Sequence, residues 1–245
     1  MPGMITPAFI PACCAPPSPC WPFAEPLAGI TLLTTRFDAT RLEADDFSRC
    51  GIAQPRGVAK RQTEFLAGRL CAREALRQAL GIGTVPAVGV DRAPIWPDGA
   101  VGSITHGAGW AGAAVASASR WRGLGLDVEA LLPPERAARL AGEILTDTEQ
   151  AALATVDEAA RAWRLTLAFS LKEALFKALY PLVRRRFYFE AAQVTQAQDG
   201  VASLRLLSDL DAEWQAGTEL HGYYAELDGR LLTLIAVPAA PAPRR

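Results

Sequence analysis

The chain has almost no net charge: 25 Lys and Arg stand against 26 Asp and Glu, leaving −1 at neutral pH. That balance argues against a nucleic-acid or membrane-surface protein, so any basic patch is local and suits a small anion or an acidic partner surface. Long apolar runs are also lacking, and none approaches the ~18–20 residues that cross a bilayer. The segment Met1–Cys14 has no basic n-region and is broken by prolines, which makes it a poor signal peptide and predicts a cytoplasmic chain. The cysteines are odd in number (Cys13, Cys14, Cys20, Cys50 and Cys71), and no histidine stands near the first three at zinc-ligand spacing. Five free thiols are expected.

What is present is ordinary globular material: 245 residues, 50% hydrophobic and 21% charged, enough for one large core or two small ones. Residues 1–26 hold eight prolines and read as a disordered leader, and 238–245 read as a flexible tail. Between them, the patterning predicts strands at Gly29–Thr35, Val88–Val90, Gly102–Thr105, Trp110–Ala118 and Gly123–Glu129. Further strands are predicted at Gln193–Thr195, Val201–Leu207, Gly222–Leu227 and Leu231–Val237, the last two joined by an Asp228-Gly229 hairpin turn. Helices are predicted at Lys60–Leu80, capped by Gly81, and at Pro134–Leu145, Thr146–Thr155 and Glu158–Leu179.

Arg73-Glu-Ala-Leu-Arg-Gln-Ala-Leu80 is echoed by Lys172-Glu-Ala-Leu-Phe-Lys-Ala-Leu179. Both helices precede comparable runs of strands, so the fold class is α+β in two similar halves, 27–118 and 122–237, joined near Ser119–Arg122. A cleft between such halves is a usual place for a ligand.

Four blocks carry chemistry. In Gly123-Leu-Gly-Leu-Asp-Val-Glu129 a strand points Asp127 and Glu129 one way and Leu126 and Val128 into the core. Carboxylates roughly 7 Å apart along a strand can converge on one hard cation, and Mg²⁺ suits them better than Ca²⁺. A solvated acidic strand end is the plainer alternative. In Ala168–Leu179, Glu173 and Lys177 share a helix face, either as a surface ion pair or as a ligand or base beside phosphate clamps at Lys172 and Lys177.

In the first long helix Leu66, Leu70, Leu76 and Leu80 occupy one arc, opposite a small-residue face of Ala67, Gly68, Cys71, Ala72, Ala75 and Ala79. Arg69, Arg73 and Arg77 fall inside the leucine arc, where an arginine needs an anion or a carboxylate partner. His106 ends a small-residue strand beside Thr105, as a phosphate donor or a structural histidine.

Taken in order, Arg61…Phe65-Leu-Ala-Gly-Arg69…Ala72-Arg73, Pro94-Ile-Trp-Pro97…Gly102-Ser-Ile-Thr-His106, Leu126-Asp-Val-Glu129 and Phe169-Ser-Leu-Lys-Glu-Ala-Leu-Phe-Lys177 resemble the 4′-phosphopantetheinyl transferases of the siderophore-synthetase type. The resemblance spans residues 27–237. It implies two α+β halves related by a pseudo-twofold axis, with coenzyme A in the cleft between them. It also implies transfer of 4′-phosphopantetheine to a serine of an acyl- or peptidyl-carrier protein, with release of adenosine 3′,5′-bisphosphate.

Position by position, Arg61, Arg69 and Arg92 would contact the adenosine phosphates, and Ala93, Pro94 and Ile95 would lie along the adenine. Thr105 and His106 would hold the 3′-phosphate. Asp127, Glu129 and Glu173 would hold Mg²⁺ against the pyrophosphate, with Lys172 and Lys177 beside it and Phe187 lining the pantetheine path. The catalytic set is then Glu173, Lys177 and Asp127, with Glu173 or a metal-bound water as the base. The partners expected are coenzyme A and carrier-protein domains, with no nucleic acid, no membrane and a monomeric chain. A non-catalytic coenzyme A or nucleotide-binding module is the alternative, although its carboxylates would have to be broken. Family members often carry lysine at the position of Arg92, which keeps the charge and changes the geometry.

Overall fold

A computed structural model describes residues 9–239. The first sheet is antiparallel in the order β1 (Ser18–Pro19), β2 (Ile30–Arg36), β6 (Trp110–Ser117), β5 (Ala100–Gly107). The second runs β7 (Trp121–Ala130), β11 (Arg230–Pro238), β10 (Glu219–Leu227), β9 (Val201–Leu206), β8 (Ala192–Gln198). A two-stranded ribbon, β3 (Ala87–Val88) with β4 (Pro94–Ile95), stands apart. The helices are α1 (Asp46–Cys50), α2 (Ala59–Leu80), α3 (Pro134–Ile144), α4 (Asp147–Leu153) and α5 (Glu158–Val183).

Alternation along the strands sorts side chains into layers. Leu33 and Val115 pack beneath α2 with Ala75 and Leu76. Leu32 and Ala114, on the opposite face, join Leu124, Leu126, Val128, Leu232 and Leu234 of the second sheet in one cluster. The far face of the second sheet is covered by α5, where Leu171, Leu175 and Leu179 meet Leu204, Leu231 and Ile235. The order is therefore helix, sheet, sheet, helix. The small-residue face of α2 makes this possible, since Ala67, Cys71, Ala72 and Ala75 have no exposed surface.

Both turn signals hold. Ala100 N donates to Pro97 O, with Gly99 at φ 79°, and Asp228 and Gly229 adopt φ 51° and 70° in the β10–β11 hairpin.

Two expectations are corrected. Residues 9–26 are not a loose leader: Cys13, Cys14 and Phe23 are buried, Ala15 N donates to Arg36 O, and β1 pairs with β2. Residues 1–8 and 240–245 lie outside the described residues. The helix expected to stop at Leu179 continues to Val183 through Pro181, with Arg184 closing it in the left-handed conformation. All five cysteines are free, and no helix among the described residues is long and apolar enough to cross a membrane.

Candidate active site

The two sheets meet where β5 runs beside β7, and side chains bridge the gap. Ser103 Oγ accepts from Leu126 N at 2.9 Å, and Thr105 Oγ1 accepts from Val128 N at 3.1 Å. Both hydroxyls are buried, so they satisfy strand-edge amides that would otherwise be unpaired. Thr105 was expected to hold a phosphate. Its hydroxyl is instead committed to this seam, with Asp127 Oδ1 a further 3.4 Å contact.

On β7 the residues facing α5 are Gly123, Gly125, Asp127 and Glu129. A Cβ on Gly125 would lie 1.7 Å from the Ala174 carbonyl oxygen, so only glycine lets the helix lie this close. That approach brings α5 against Asp127. Lys177 Nζ donates to Asp127 Oδ1 at 2.6 Å and to Leu126 O at 3.0 Å, while Ser170 Oγ donates to Asp127 Oδ2 at 2.8 Å. Lys177 thus turns to Asp127 rather than to Glu173 on its own helix.

The carboxylates at this seam feel one another. Burial pushes the Glu129 carboxyl up to about 7, helped by Asp127 and Glu173 and opposed by Lys177. Burial also raises Glu173, with Lys177 opposing and Asp127 assisting. Three acidic groups outnumber the cations that act on them, Lys177 and, at Glu129, Arg136, and oxygen donors of this kind suit a hard divalent cation such as Mg²⁺. Their ligand oxygens do not all lie within 4.8 Å of one another; among the described residues, only Glu43, Asp45 and Asp46 form such a group. Those three lie at the start of α1, and Glu43 and Asp45 are exposed.

Beside the seam, a cavity of about 800 Å³ opens between α2, β5, the ribbon and residues 51–56. Arg56, Arg61, Arg69, Arg92 and His106 line it. Arg69 is 5% exposed, its Nη1 has no hydrogen-bond partner, and burial lowers its pKa to about 10, which leaves it charged at neutral pH. Its guanidinium lies 4.9 Å from the Phe65 ring centroid. Partial burial lowers the His106 pKa, opposed by Glu64 (Nδ1 to Oε2, 3.9 Å) and reinforced by Lys177 and Arg61. An adjoining cavity of about 330 Å³ shares Arg92, Pro94 and Ile104 with the first and adds Ala93, Lys177 and Arg186. A separate cavity of about 480 Å³, between α4, α5 and β8, contains none of the expected site residues.

Several expectations change here. Lys172 does not reach the cleft: it is buried, with Nζ donating to Glu149 Oε2 at 2.7 Å and to Ile144 O at 2.8 Å. One residue along a helix turns 100°, which is why Glu173 faces the seam and Lys172 faces α4. Ile95 is exposed and lines neither cleft cavity. Phe187 is packed in the α5 core, its ring 5.3 Å from that of Phe176. Arg73 and Arg77 have local partners, Cys50 O and Glu74.

Sequence reasoning missed Arg56, Ser103, Ser170 and Thr233. Thr233 left a signal, as the one hydroxyl within the apolar run Leu231–Ile235.

Comparison with known proteins finds two family models that match separate stretches of the chain. Residues 53–116 match the family model of the 4′-phosphopantetheinyl transferase N-terminal domain, and residues 123–232 match that of the 4′-phosphopantetheinyl transferase superfamily. The chain is 35% identical over 229 residues to enterobactin synthase component D of Salmonella typhimurium, covering 91% of this chain and 93% of that protein. It is 37% identical over 191 residues to 4′-phosphopantetheinyl transferase PptT of Mycobacterium tuberculosis, covering 74% and 82%. With 4′-phosphopantetheinyl transferase Svp of Streptomyces mobaraensis it shares 38% identity over 192 residues, 76% of each chain.

Proposed function

The chain belongs to the 4′-phosphopantetheinyl transferases of the siderophore-synthetase type, and we propose that it moves 4′-phosphopantetheine from coenzyme A to a carrier-protein serine through the seam between its two sheets. The observation that carries this assignment of the site is Arg69: a buried arginine with an unpartnered Nη1, lining a cavity with three further arginines and His106. A buried cation without a partner is costly, and a phosphate relieves it.

In this reading residues 27–118 and 122–237 are halves related by an approximate twofold axis. The α2 and α5 helices, which carry the internal sequence echo and each cover one sheet, support the relation. Arg61, Arg69 and Arg92 hold the adenosine phosphates, Pro94 and Ala93 flank the adenine, and His106 takes the 3′-phosphate. Asp127, Glu129 and Glu173 hold Mg²⁺, which when bound neutralises and polarises the pyrophosphate.

Lys177, already at the seam, balances charge that builds on the phosphoryl oxygens as the serine oxygen attacks the β-phosphorus. The serine proton goes to a base at the seam, either a Glu173 carboxylate oxygen not engaged with the cation or a water beside it. The bond from the β-phosphorus to the bridging oxygen breaks, and adenosine 3′,5′-bisphosphate leaves. As in other phosphoryl chemistry, most of the acceleration comes from positioning and charge.

Intact mass of a carrier protein incubated with the enzyme, coenzyme A and Mg²⁺ tests the reading. A gain of one phosphopantetheine, abolished by chelation, is expected. An unchanged carrier mass alongside normal coenzyme A binding would mark a non-catalytic binding module instead.

A further inference from the structure

Behind Asp127 lie two hydroxyls that no step above uses, one bonded to it and one bonded to the first. Ser170 on α5 and Thr233 on β11 both have no exposed surface. Thr233 is the register partner of Asp127 across the β7–β11 pair, so the two side chains leave the sheet on the same face, beneath α5. Ser170 Oγ lies 2.8 Å from Asp127 Oδ2 and 2.8 Å from Thr233 Oγ1. Packing alone gives no reason for a hydroxyl in the middle of Leu231-Leu-Thr-Leu-Ile235: valine would fill the same space without the cost of burying a polar atom.

Proton counting gives the pair a direction. Beside Lys177, Asp127 is a carboxylate and accepts. Ser170 has one proton and donates it to Oδ2. With that proton committed to Asp127, the 2.8 Å contact between the two hydroxyl oxygens is bridged by the proton of Thr233, which it shares with the second lone pair of Ser170 O at 3.0 Å. The chain runs from Thr233 to Ser170 to Asp127, tying β11, α5 and β7 together. It occupies Oδ2 and leaves Oδ1 turned to the seam, where Lys177 and Thr105 meet it.

We propose that Thr233 and Ser170 are positioning residues, a directional hydroxyl relay that holds the Asp127 carboxylate in its cation-binding orientation. The proposal rests on Asp127 being a cation ligand, as assigned above. Groups behind a metal ligand fix its orientation, and their loss weakens metal affinity by about 10–100-fold.

The test is calorimetric titration of Mg²⁺ into the full chain carrying Thr233→Val, Thr233→Ser, Ser170→Ala, the Thr233→Val/Ser170→Ala pair, or Asp127→Ala. Coenzyme A binding is measured in parallel without metal. Thr233→Val and Ser170→Ala are expected to lose about 10-fold or more in Mg²⁺ affinity while metal-free coenzyme A affinity stays at the wild-type value. Thr233→Ser should restore Mg²⁺ binding, and the double variant should be no weaker than Ser170→Ala alone, because one relay is broken once.

Unchanged Mg²⁺ affinity in Thr233→Val and Ser170→Ala, beside a lost affinity in Asp127→Ala, overturns the relay and leaves the cation site standing. Additive losses, failure of Thr233→Ser to rescue, or a parallel fall in metal-free coenzyme A binding also overturn it, the last by marking general distortion. Full Mg²⁺ affinity in Asp127→Ala removes the cation-site reading itself. If Ser170→Ala does not fold, the two Thr233 variants decide alone.

Discussion

At the scale of single residues, what the sequence revealed was charge in places where charge is costly. Asp127 and Glu129 stood out by strand alternation, and Arg69 by its place within a leucine arc. Ser170 and Thr233 did not, since a small hydroxyl on a helix or in an apolar strand reads as filler until its neighbours are known. Replacing Asp127 or Glu173 by alanine should lower turnover by at least ~10²–10⁴-fold, with the circular-dichroism spectrum retained. Near-normal carrier modification by either folded variant would contradict the metal and base assignments.

Arg69→Ala and His106→Ala should weaken coenzyme A binding by about 1.5–3 kcal/mol each, the range for hydrogen bonds to charged groups. Only His106→Ala should lose much preference for coenzyme A over its 3′-dephospho form. The His106 pKa lies below its ordinary 6.5, so the imidazole is neutral at pH 7 before ligand arrives. A phosphate favours the imidazolium, so binding takes up a proton and the preference for coenzyme A should rise as pH falls toward 6. Equal preference ratios in wild type and His106→Ala across that range would place the 3′-phosphate elsewhere.

At the scale of elements, helices and hairpins were legible because they repeat or punctuate, while contacts between elements were not. Thus α2 and its Gly81 cap match the reading almost to the residue, whereas the ordered path of residues 9–26 was hidden by its prolines. Proline discourages helix and strand, but it does not prevent packing: Cys13, Cys14 and Phe23 anchor that segment.

The glycines of β7 have a consequence at this scale. Gly125→Ala would push a methyl into the Ala174 carbonyl, separate α5 from β7 and draw Lys177 away from Asp127. A stability loss of roughly 1–3 kcal/mol is expected from overpacking, together with a fall in kcat; wild-type values of both would mean that the helix has room to spare. Lys172 belongs to the same layer of the fold. Lys172→Met breaks a buried ion pair with Glu149 and should destabilise by about 3–5 kcal/mol in urea titration. Coenzyme A affinity should be unaltered, and a specific loss of that affinity would return Lys172 to the cleft.

At the scale of the whole molecule, the sequence carries an echo between two helices, each of which covers one sheet, but it gives no sign of the edge-to-edge seam of the sheets. The seam depends on Ser103 and Thr105 reaching across to β7 amides, a contact between strands about twenty residues apart that no periodicity announces. Whole-molecule charge is equally uninformative about the partner. With a net charge of −1 the enzyme has no general attraction for an acidic partner surface, so any such attraction must be local.

Arg184, Arg185 and Arg186 are all exposed just past the end of α5, and Arg186 also lines the smaller cavity beside Lys177. The place of Arg186 on the smaller cavity, with two exposed arginines next to it in sequence, favours steering over a purely solubilising role, because exposed rim charges act mainly on the rate of encounter and are screened by salt. Replacing all three with serine should raise the apparent KM for the carrier several-fold at low ionic strength and leave kcat near its wild-type value. Coenzyme A affinity should fall little, since Arg61, Arg69 and His106 hold the larger cavity. The difference in KM should close as salt is added toward the ionic strength at which the Debye length falls to about 3 Å. Carrier kinetics unaltered in dilute buffer would leave the triplet as a solvated helix end, and a defect that persists at high salt would make it a direct contact instead of a guide.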